Sequence, residues 1–244
     1  MDMAALHDIL NNNDYMLDLC VRMAHHSTAI EGNTLSQDAT ASIILDNFLN
    51  LKASEREFYE VRNYRFLLPV LIDSLTNKEL LDNELIKKFH SVIMKDLRDD
   101  AGQFKKIENL IIGANFEPTK PYLVPSALKD WCDNLDYKLK NATSSKEKVE
   151  AILYSHASFE KIHPFGDGNG RTGRLLMIYS CFQNNLPPLV IPKEQKAKYI
   201  SFLRGEDIKE FVLFARELQI VEQKRMDKFL QQAKNQSRNK DLER

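Results

Sequence analysis

The sequence has few cysteines and no long apolar run. Its three cysteines lie far apart and show no CxxC spacing, which excludes a disulfide framework and a zinc site. No stretch approaches the roughly 20 apolar residues that a membrane-spanning helix needs. The N-terminus lacks the basic and apolar regions of a signal peptide. We therefore expect a cytoplasmic protein with reduced thiols that does not bind membranes.

The sequence also lacks a charge excess of either sign. Lys and Arg number 34 and Asp and Glu number 35, so the formal net charge is −1. This balance produces no overall field that would attract nucleic acid or an anionic surface. Any anion must therefore be bound by a local arrangement of donors, and we expect no nucleic-acid partner.

Glycine is scarce, and half of it lies in one segment. Of the 8 glycines, four stand between Gly166 and Gly173, within the segment 163–174 that reads HPFGDGNGRTGR. Glycine lets the backbone approach a ligand closely, and successive N–H groups in such a turn form an anion-binding nest. A helix that begins near Gly170 would add the positive end of its dipole at the same point. The segment therefore predicts a phosphate-binding loop.

Apolar residues at helical spacing predict an all-α fold for most of the chain. Ser36 is the expected N-cap of one helix, and Gly32 is the expected end of the helix before it. The predicted helices cover 14–31, 37–49, 54–73, 82–97, 126–140, 145–161, 170–184 and a segment from 206 past 221. The segment 107–124 departs from this pattern, because it combines β-branched residues, a glycine and two prolines. It predicts a small β-hairpin or extended flap that leans on the helices.

Four side chains around the glycine-rich loop point to a reaction at phosphate. Arg171 and Arg174 leave the first turn of the predicted helix on neighbouring faces, and their planar donor forks suit phosphate oxygens. Asp167 would repel phosphate unless a cation lies between them, and one carboxylate with phosphate oxygens commonly holds Mg²⁺. His163 is the side chain best suited to accept a proton near neutral pH. Together these residues predict in-line attack of a hydroxyl on a metal-bound phosphate.

Two other phosphate-binding motifs do not fit the segment. Gly168, Gly170 and Gly173 satisfy the spacing G-x-G-x-x-G of dinucleotide-binding folds. That motif requires a preceding strand in a βαβ unit, whereas 145–161 has a helical pattern. A P-loop is excluded because no Lys-Ser or Lys-Thr pair follows the glycines.

The complete pattern of the segment resembles the signature of the Fic family. Every signature position is filled: His163, Phe165, Asp167, Gly168, Asn169, Gly170, Arg171 and Arg174. The resemblance implies a Fic-type helical core over 54–221. An N-terminal helical region over 1–53 would precede it, and a helical or frayed tail over 222–244 would follow.

The resemblance also assigns a role to each signature residue. His163 would be the base that deprotonates a hydroxyl of the target protein, and Asp167 would hold Mg²⁺. The other positions would bind ATP: Phe165 as the core anchor of the loop, Gly168, Asn169 and Gly170 as the phosphate cradle, and Arg171 and Arg174 at the outer phosphates. The Doc-like branch carries a lysine where this chain has Gly170. The resemblance therefore implies transfer of AMP to a Tyr, Thr or Ser hydroxyl rather than protein phosphorylation.

A second motif lies in the N-terminal region, at 27–32. Taken alone, Glu31 is a solvated glutamate before a glycine cap. The pattern Ser27-x-x-x-Glu31-Gly32 resembles the inhibitory motif of Fic proteins that carry it N-terminal to the core. There the glutamate pairs with the second signature arginine, here Arg174, so that ATP binds in an orientation unsuited to in-line attack. The resemblance implies an autoinhibited enzyme, and removal of AMP from a target remains open.

Two alternatives to AMP transfer remain open at this point. The transferred group could be UMP or phosphocholine, or the chain could be a non-enzymatic nucleotide-binding regulatory module held shut by Glu31. An intact His163 favours an enzyme, because a binding module needs no base there. The expected partner is a protein with a hydroxyl side chain, including the chain itself, and a homo-oligomer remains open. Strand addition to the flap at Ile111, Ile112 and Phe116 would hold such a target, and a purely structural hairpin is the alternative.

Overall fold

The computed structural model describes residues 3–48, 53–109, 117–205 and 208–242. Within these ranges the chain forms helices and irregular loops, and no strand is present. The α-helices are α1 Met3–Leu10, α2 Asn13–Ile30, α3 Gln37–Asp46, α4 Glu55–Thr76, α5 Asn83–Ile93, α6 Val124–Asn141, α7 Ser145–Ile162, α8 Asn169–Gln183, α9 Lys196–Leu203 and α10 Ile208–Leu242. Short 3₁₀ turns at Pro121–Leu123 and Lys193–Gln195 precede α6 and α9.

Local capping groups set several helix boundaries. The Ser36 side chain accepts a hydrogen bond from Ala39 N at 3.2 Å and starts α3, as predicted. Ser54 and Glu57 form a reciprocal capping box at the start of α4. Gly32 follows α2 with φ +108°, a left-handed conformation that glycine adopts freely, so the predicted end of that helix is confirmed.

Helix α8 lies at the centre of the fold. Nearly all of its side chains are buried, and it packs against α2, α4, α5 and α7. A helix that is enclosed on all sides belongs to the core rather than to the surface. Because α7 leads into α8 through the loop 163–168, two packed helices hold both ends of the glycine-rich loop.

A buried ion pair joins the N-terminal helix α2 to the C-terminal helix α10. Both terminal nitrogens of Arg22 donate to the Glu222 carboxylate at 2.8 Å, and Tyr15 Oη donates to the same carboxylate at 2.8 Å. Bidentate pairs of this kind combine attraction with a defined geometry. Helix α2 also packs on α4 and α8, so its C-terminal end is held beside the start of α8.

Several boundaries differ from the sequence predictions. Helices α1 and α9, of 8 residues each, are too short to give a clear periodic pattern and were not predicted. Helix α5 ends at Ile93 rather than 97, because the chain turns there and Asp96 takes φ +60°. Helix α10 continues to Leu242, so the tail predicted over 222–244 as helical or frayed is helical up to that residue.

The predicted hairpin at 107–124 is not confirmed. Residues 110–116, which include Ile111, Ile112 and Phe116, lie outside the described residues. The flanks 107–109 and 117–120 contain no strand, and 121–123 form a 3₁₀ turn that leads into α6. Pro118 and Pro121 have no N–H to give to a strand ladder, which explains the irregular backbone on that side.

The three cysteines are free thiols inside the fold. Cys20, Cys132 and Cys181 are all buried, and burial raises the pKa of each thiol to about 12. They serve as packing groups rather than as reactive thiols.

Over the described ranges, no helix has the length and apolarity required to cross a membrane.

Candidate active site

The loop 163–168 is fixed by its own residues. The Phe165 ring is fully buried. The Asn169 side chain accepts a hydrogen bond from Phe165 N at 2.9 Å and donates to Phe165 O at 2.9 Å. This double bridge closes the loop against the first residue of α8. Asn169 therefore acts on any phosphate cradle through the shape of the loop, because its side chain faces the loop backbone.

His90 on α5 holds the same loop from outside. Its ring stacks on Phe165 with centroids 3.6 Å apart. Nδ1 accepts the Gly102 N–H at 2.8 Å, so Nε2 carries the proton and donates to Asp167 O at 3.0 Å. Burial lowers the pKa of His90 to about 4, which keeps the ring neutral and this tautomer in place. The loop backbone is thus positioned by a helix outside the signature.

Two glycines keep the start of α8 open. Gly168 is the N-cap of α8 and has φ +77°, and a Cβ there would lie 2.5 Å from Met94 Sδ. A Cβ at Gly170 would collide with the Glu31 carboxylate. The first N–H groups of a helix have no intrahelical acceptor, and the helix dipole is positive at that end. The half-buried backbone at Gly170 therefore offers a position that could bind an anion.

His163 ends α7 in a strained conformation beside this position. Its φ is +50°, in the left-handed region that non-glycine residues rarely occupy and that recurs at functional sites. Burial, followed by the positive charge of Lys105, lowers the pKa of His163 below its ordinary value. Lys105 N donates to Pro164 O at 2.9 Å, which fixes that segment against the loop. The imidazole is therefore neutral at pH 7 and able to accept a proton.

The two carboxylate oxygens of Asp167 have different partners. Oδ1 accepts from Gly168 N at 2.6 Å and from Arg171 Nη2 at 3.2 Å, both within the loop and α8. Oδ2 accepts from Arg56 Nη2 at 2.6 Å, on α4. Burial acts to raise the pKa of Asp167, but the Arg56 hydrogen bond and the Arg171 charge hold the pKa below its ordinary value. Asp167 is therefore ionised at neutral pH.

Arg171 lies between two carboxylates rather than in open solvent. Its Nη1 is 3.3 Å from Glu60 Oε1, and its Nη2 is 3.2 Å from Asp167 Oδ1. Glu60 Oε1 also accepts from Arg56 Nε at 3.0 Å, and Glu60 Oε2 accepts from Asn33 Nδ2 at 3.1 Å. The sequence did not indicate Glu60, Arg56 or Asn33 as site residues. Through Glu60, the segment after α2 and the start of α4 both contact the signature helix.

Arg174 is held by the C-terminal turn of α2. Its Nη2 donates to Glu31 Oε1 at 2.6 Å and to Ser27 O at 2.9 Å, and its Nε donates to Ser27 Oγ at 2.9 Å. Burial acts to raise the pKa of Glu31, but Arg174 overrides burial and the pKa is lowered. The structure thus brings together Glu31, Arg174 and the anion-binding position at Gly170. The Glu31 carboxylate lies at the start of α8, where the helix dipole favours an anion.

A further buried carboxyl, Glu160, lies beneath the signature helix. It stands three residues before His163, beside Gly173, and its Oε1 is 3.9 Å from His156 Nε2. Burial raises the pKa of Glu160 to about 8, although the Arg174 charge acts in the opposite direction. Glu160 is therefore largely protonated at neutral pH, a state that a helical pattern of residues does not reveal.

The raised pKa of Glu160 predicts that stability falls with rising pH. The unfolded chain loses this proton near pH 4.5 and the folded protein near pH 8. Between these values the folded state binds more protons, so the free energy of unfolding decreases by up to about 1.4 kcal/mol per pH unit. Urea unfolding at pH 5, 6.5 and 8 should show wild type losing stability relative to Glu160→Gln. Glu84→Gln, at an exposed glutamate, is the control. A difference in unfolding free energy between wild type and Glu160→Gln that stays constant with pH would contradict the prediction.

The predicted Mg²⁺ position rests on Asp167 alone. Within the described part of the chain, no group of three or more His, Cys, Asp or Glu side chains could hold a metal ion. Mg²⁺ is nevertheless commonly held by one or two carboxylates together with substrate phosphates and water. Asp167 is ionised and a third exposed, so it fits an ion that arrives with a nucleotide rather than a resident ion.

The described residues thus form a helical domain in which a helix start, a neutral histidine and two arginines lie in one segment of the chain. Residues 80–181 of the chain match the family described as Fic/DOC family. Similar proteins include protein adenylyltransferase fic-1 of Caenorhabditis elegans, 30% identical over 195 residues, and protein adenylyltransferase Fic of Drosophila willistoni, 31% identical over 196 residues. These alignments cover 79% and 78% of this chain but only 37% and 38% of the two relatives.

Solved structures share the fold. A Fic domain containing signaling protein from Bacteroides thetaiotaomicron superposes with a TM-score of 0.78 at 23% identity, covering 92% of this chain and 90% of that one. Fic-1 from C. elegans superposes with a TM-score of 0.74 at 26% identity, covering 93% of this chain and 70% of that one. The helical architecture around α7 and α8 is therefore that of the Fic domain.

Proposed function

We propose that the protein is an autoinhibited protein adenylyltransferase that moves AMP from ATP to a Tyr, Thr or Ser hydroxyl of a target protein. The observation that carries this proposal is the neutral His163 beside the anion-binding start of α8. A phosphate at Gly170 would lie next to a group able to deprotonate an attacking hydroxyl. The relatives named protein adenylyltransferase support ATP as the nucleotide and a protein as the acceptor.

The proposed reaction is an in-line displacement at the α-phosphate. His163 takes the proton of the target hydroxyl, whose oxygen forms a bond to the α-phosphorus while the bond to the bridging oxygen breaks and pyrophosphate leaves. The backbone N–H of Gly170 and the guanidinium groups of Arg171 and Arg174 stabilise the negative charge on the phosphates. When bound at Asp167, Mg²⁺ would neutralise further phosphate charge.

Autoinhibition follows in this proposal from the Glu31–Arg174 pair. The Glu31 carboxylate lies against Gly170 and binds the guanidinium that the outer phosphates of ATP would use. An anion already at this position repels an incoming phosphate and withholds Arg174. ATP would then bind with its α-phosphate out of line with the target hydroxyl. The same carboxylate would orient a water molecule in the reverse reaction, the removal of AMP from a modified protein.

Transfer of AMP can be separated from its alternatives by the position of the label. We expect Glu31→Gly to transfer label to protein from ATP labelled at the α-phosphate and not from ATP labelled at the γ-phosphate, because pyrophosphate leaves. A lysate supplies target proteins, and heat-inactivated Glu31→Gly is the control. Label from the γ-phosphate would indicate a kinase. Label only from UTP or from a phosphocholine donor would indicate transfer of another group. Calorimetric ATP binding without transfer of any label would indicate a regulatory binding module.

A further inference from the structure

Arg56, in the first turn of α4, covers the outward side of Asp167. Its Nη2 is 2.6 Å from Asp167 Oδ2, and its Nε is 3.0 Å from Glu60 Oε1. The Arg56 side chain is 57% exposed, whereas those of Asp167 and Glu60 are 33% and 7% exposed. An exposed cation therefore bridges two carboxylates that are more deeply buried. Nothing in the signature segment requires a third arginine at this point.

The hydrogen bonds of Asp167 leave only one oxygen for an incoming cation. Oδ1 already accepts from the Gly168 N–H and from Arg171, and both donors belong to the same loop and helix as Asp167. In the described part of the chain, Oδ2 accepts a hydrogen bond from Arg56 alone. A divalent ion bound to one carboxylate oxygen would therefore use Oδ2 and would meet the Arg56 guanidinium at that atom.

Arg56 can leave Asp167 without losing its place in the fold. Exposed ion pairs contribute little net stability, because water solvates both charges once they separate. The second contact, between Arg56 Nε and Glu60, can persist while the outer end of the guanidinium turns toward solvent. Asp167 keeps its Gly168 and Arg171 contacts after that change. The carboxylate would thus remain oriented while Oδ2 becomes available.

We propose that Arg56 competes with Mg²⁺ for Asp167 Oδ2, so that it holds this carboxylate in the nucleotide-free protein and weakens metal-dependent nucleotide binding. This inference rests on the proposed function, since it takes Mg²⁺–ATP as the ligand. Arg56 is in this view a positioning residue that acts on Asp167, separate from the inhibitory contact of Glu31 with Arg174. Its effect belongs to the step in which the metal-bound nucleotide enters.

Calorimetric titration of ATP, with Mg²⁺ and with EDTA, tests this inference. All proteins carry Glu31→Gly, so that the anion-binding position is free. We expect Arg56→Gln to increase the gain in ATP affinity that Mg²⁺ provides by roughly 2–5-fold, the range for loss of an exposed ion pair. Affinity in EDTA should stay the same. Arg56→Lys retains the charge and should show a smaller increase. Lys129→Gln removes one positive charge from an exposed side chain of α6 and serves as the matched control.

Each other outcome overturns the inference. If Mg²⁺ increased the ATP affinity of Arg56→Gln and of its parent by the same factor, Arg56 would not compete with the ion. Weaker ATP binding by Arg56→Gln in both Mg²⁺ and EDTA would make Arg56 a phosphate ligand instead. If the Glu31→Gly parent itself binds no ATP, the proposed function fails together with the inference. ATP binding by the parent with no effect at Arg56 overturns the inference alone.

Discussion

The Glu31→Gly variant is expected to transfer AMP about 10²-fold faster than wild type, the scale on which one charge-stabilising donor changes the rate of a reaction. The substitution removes the carboxylate that lies against Gly170 and that binds Arg174 Nη2 at 2.6 Å. Arg174 keeps its two hydrogen bonds to Ser27, so the guanidinium stays near the start of α8 and can accept the outer phosphates. Initial rates of label incorporation from ATP labelled at the α-phosphate measure the effect.

Glu31→Gln separates the charge of this side chain from its volume. It keeps nearly the same shape but has no negative charge and cannot form an ion pair with Arg174, so we expect a rate between those of wild type and Glu31→Gly. Thermal unfolding of all three proteins checks that the fold is retained. Equal rates in wild type and Glu31→Gly, at saturating Mg²⁺ and ATP, would exclude Glu31 as the inhibitory group.

The loop could be predicted from the sequence because its parts are consecutive. The glycines, His163, Asp167 and both arginines lie within 163–174, so local spacing alone indicates a nest, a helix start and a base. Glu31 is different. Its sequence neighbours alone predict a solvated residue at the end of a helix. The partner that lowers the pKa of Glu31 is Arg174, which lies far along the chain on α8. Only the resemblance to the Fic family connected the two residues before the fold was known.

Arg56 and Glu60 were missed because their partners come from other parts of the chain. Arg56 follows the cap of α4, where an exposed arginine is indistinguishable from an ordinary surface residue. Glu60 did carry a signal. It lies on the same face of α4 as Tyr64, Leu67 and Leu71, and a glutamate on a buried face requires a partner. Helical spacing could therefore have predicted that Glu60 binds a cation, without identifying Arg171.

In the Glu31→Gly background, His163→Ala is expected to lower AMP transfer by about 10³-fold, within the range that a general base provides. The phosphate-binding groups of α8 remain, so calorimetric ATP affinity should change little. His7→Ala, at an exposed histidine of α1, is the matched control. Loss of ATP binding together with transfer would indicate that His163 serves the loop structure rather than the chemistry.

The pH dependence of AMP transfer gives an independent test of His163 as the general base, because its imidazole must be neutral to accept a proton. The pKa of His163 lies below its ordinary value of 6.5, owing to burial and to the charge of Lys105. The acidic limb of transfer by Glu31→Gly should therefore have its midpoint below pH 6.5, because the rate falls as the pH drops through the lowered pKa. Lys105→Gln removes the charge, so this acidic limb should move to higher pH. An acidic limb that stays in place would show that another group sets it.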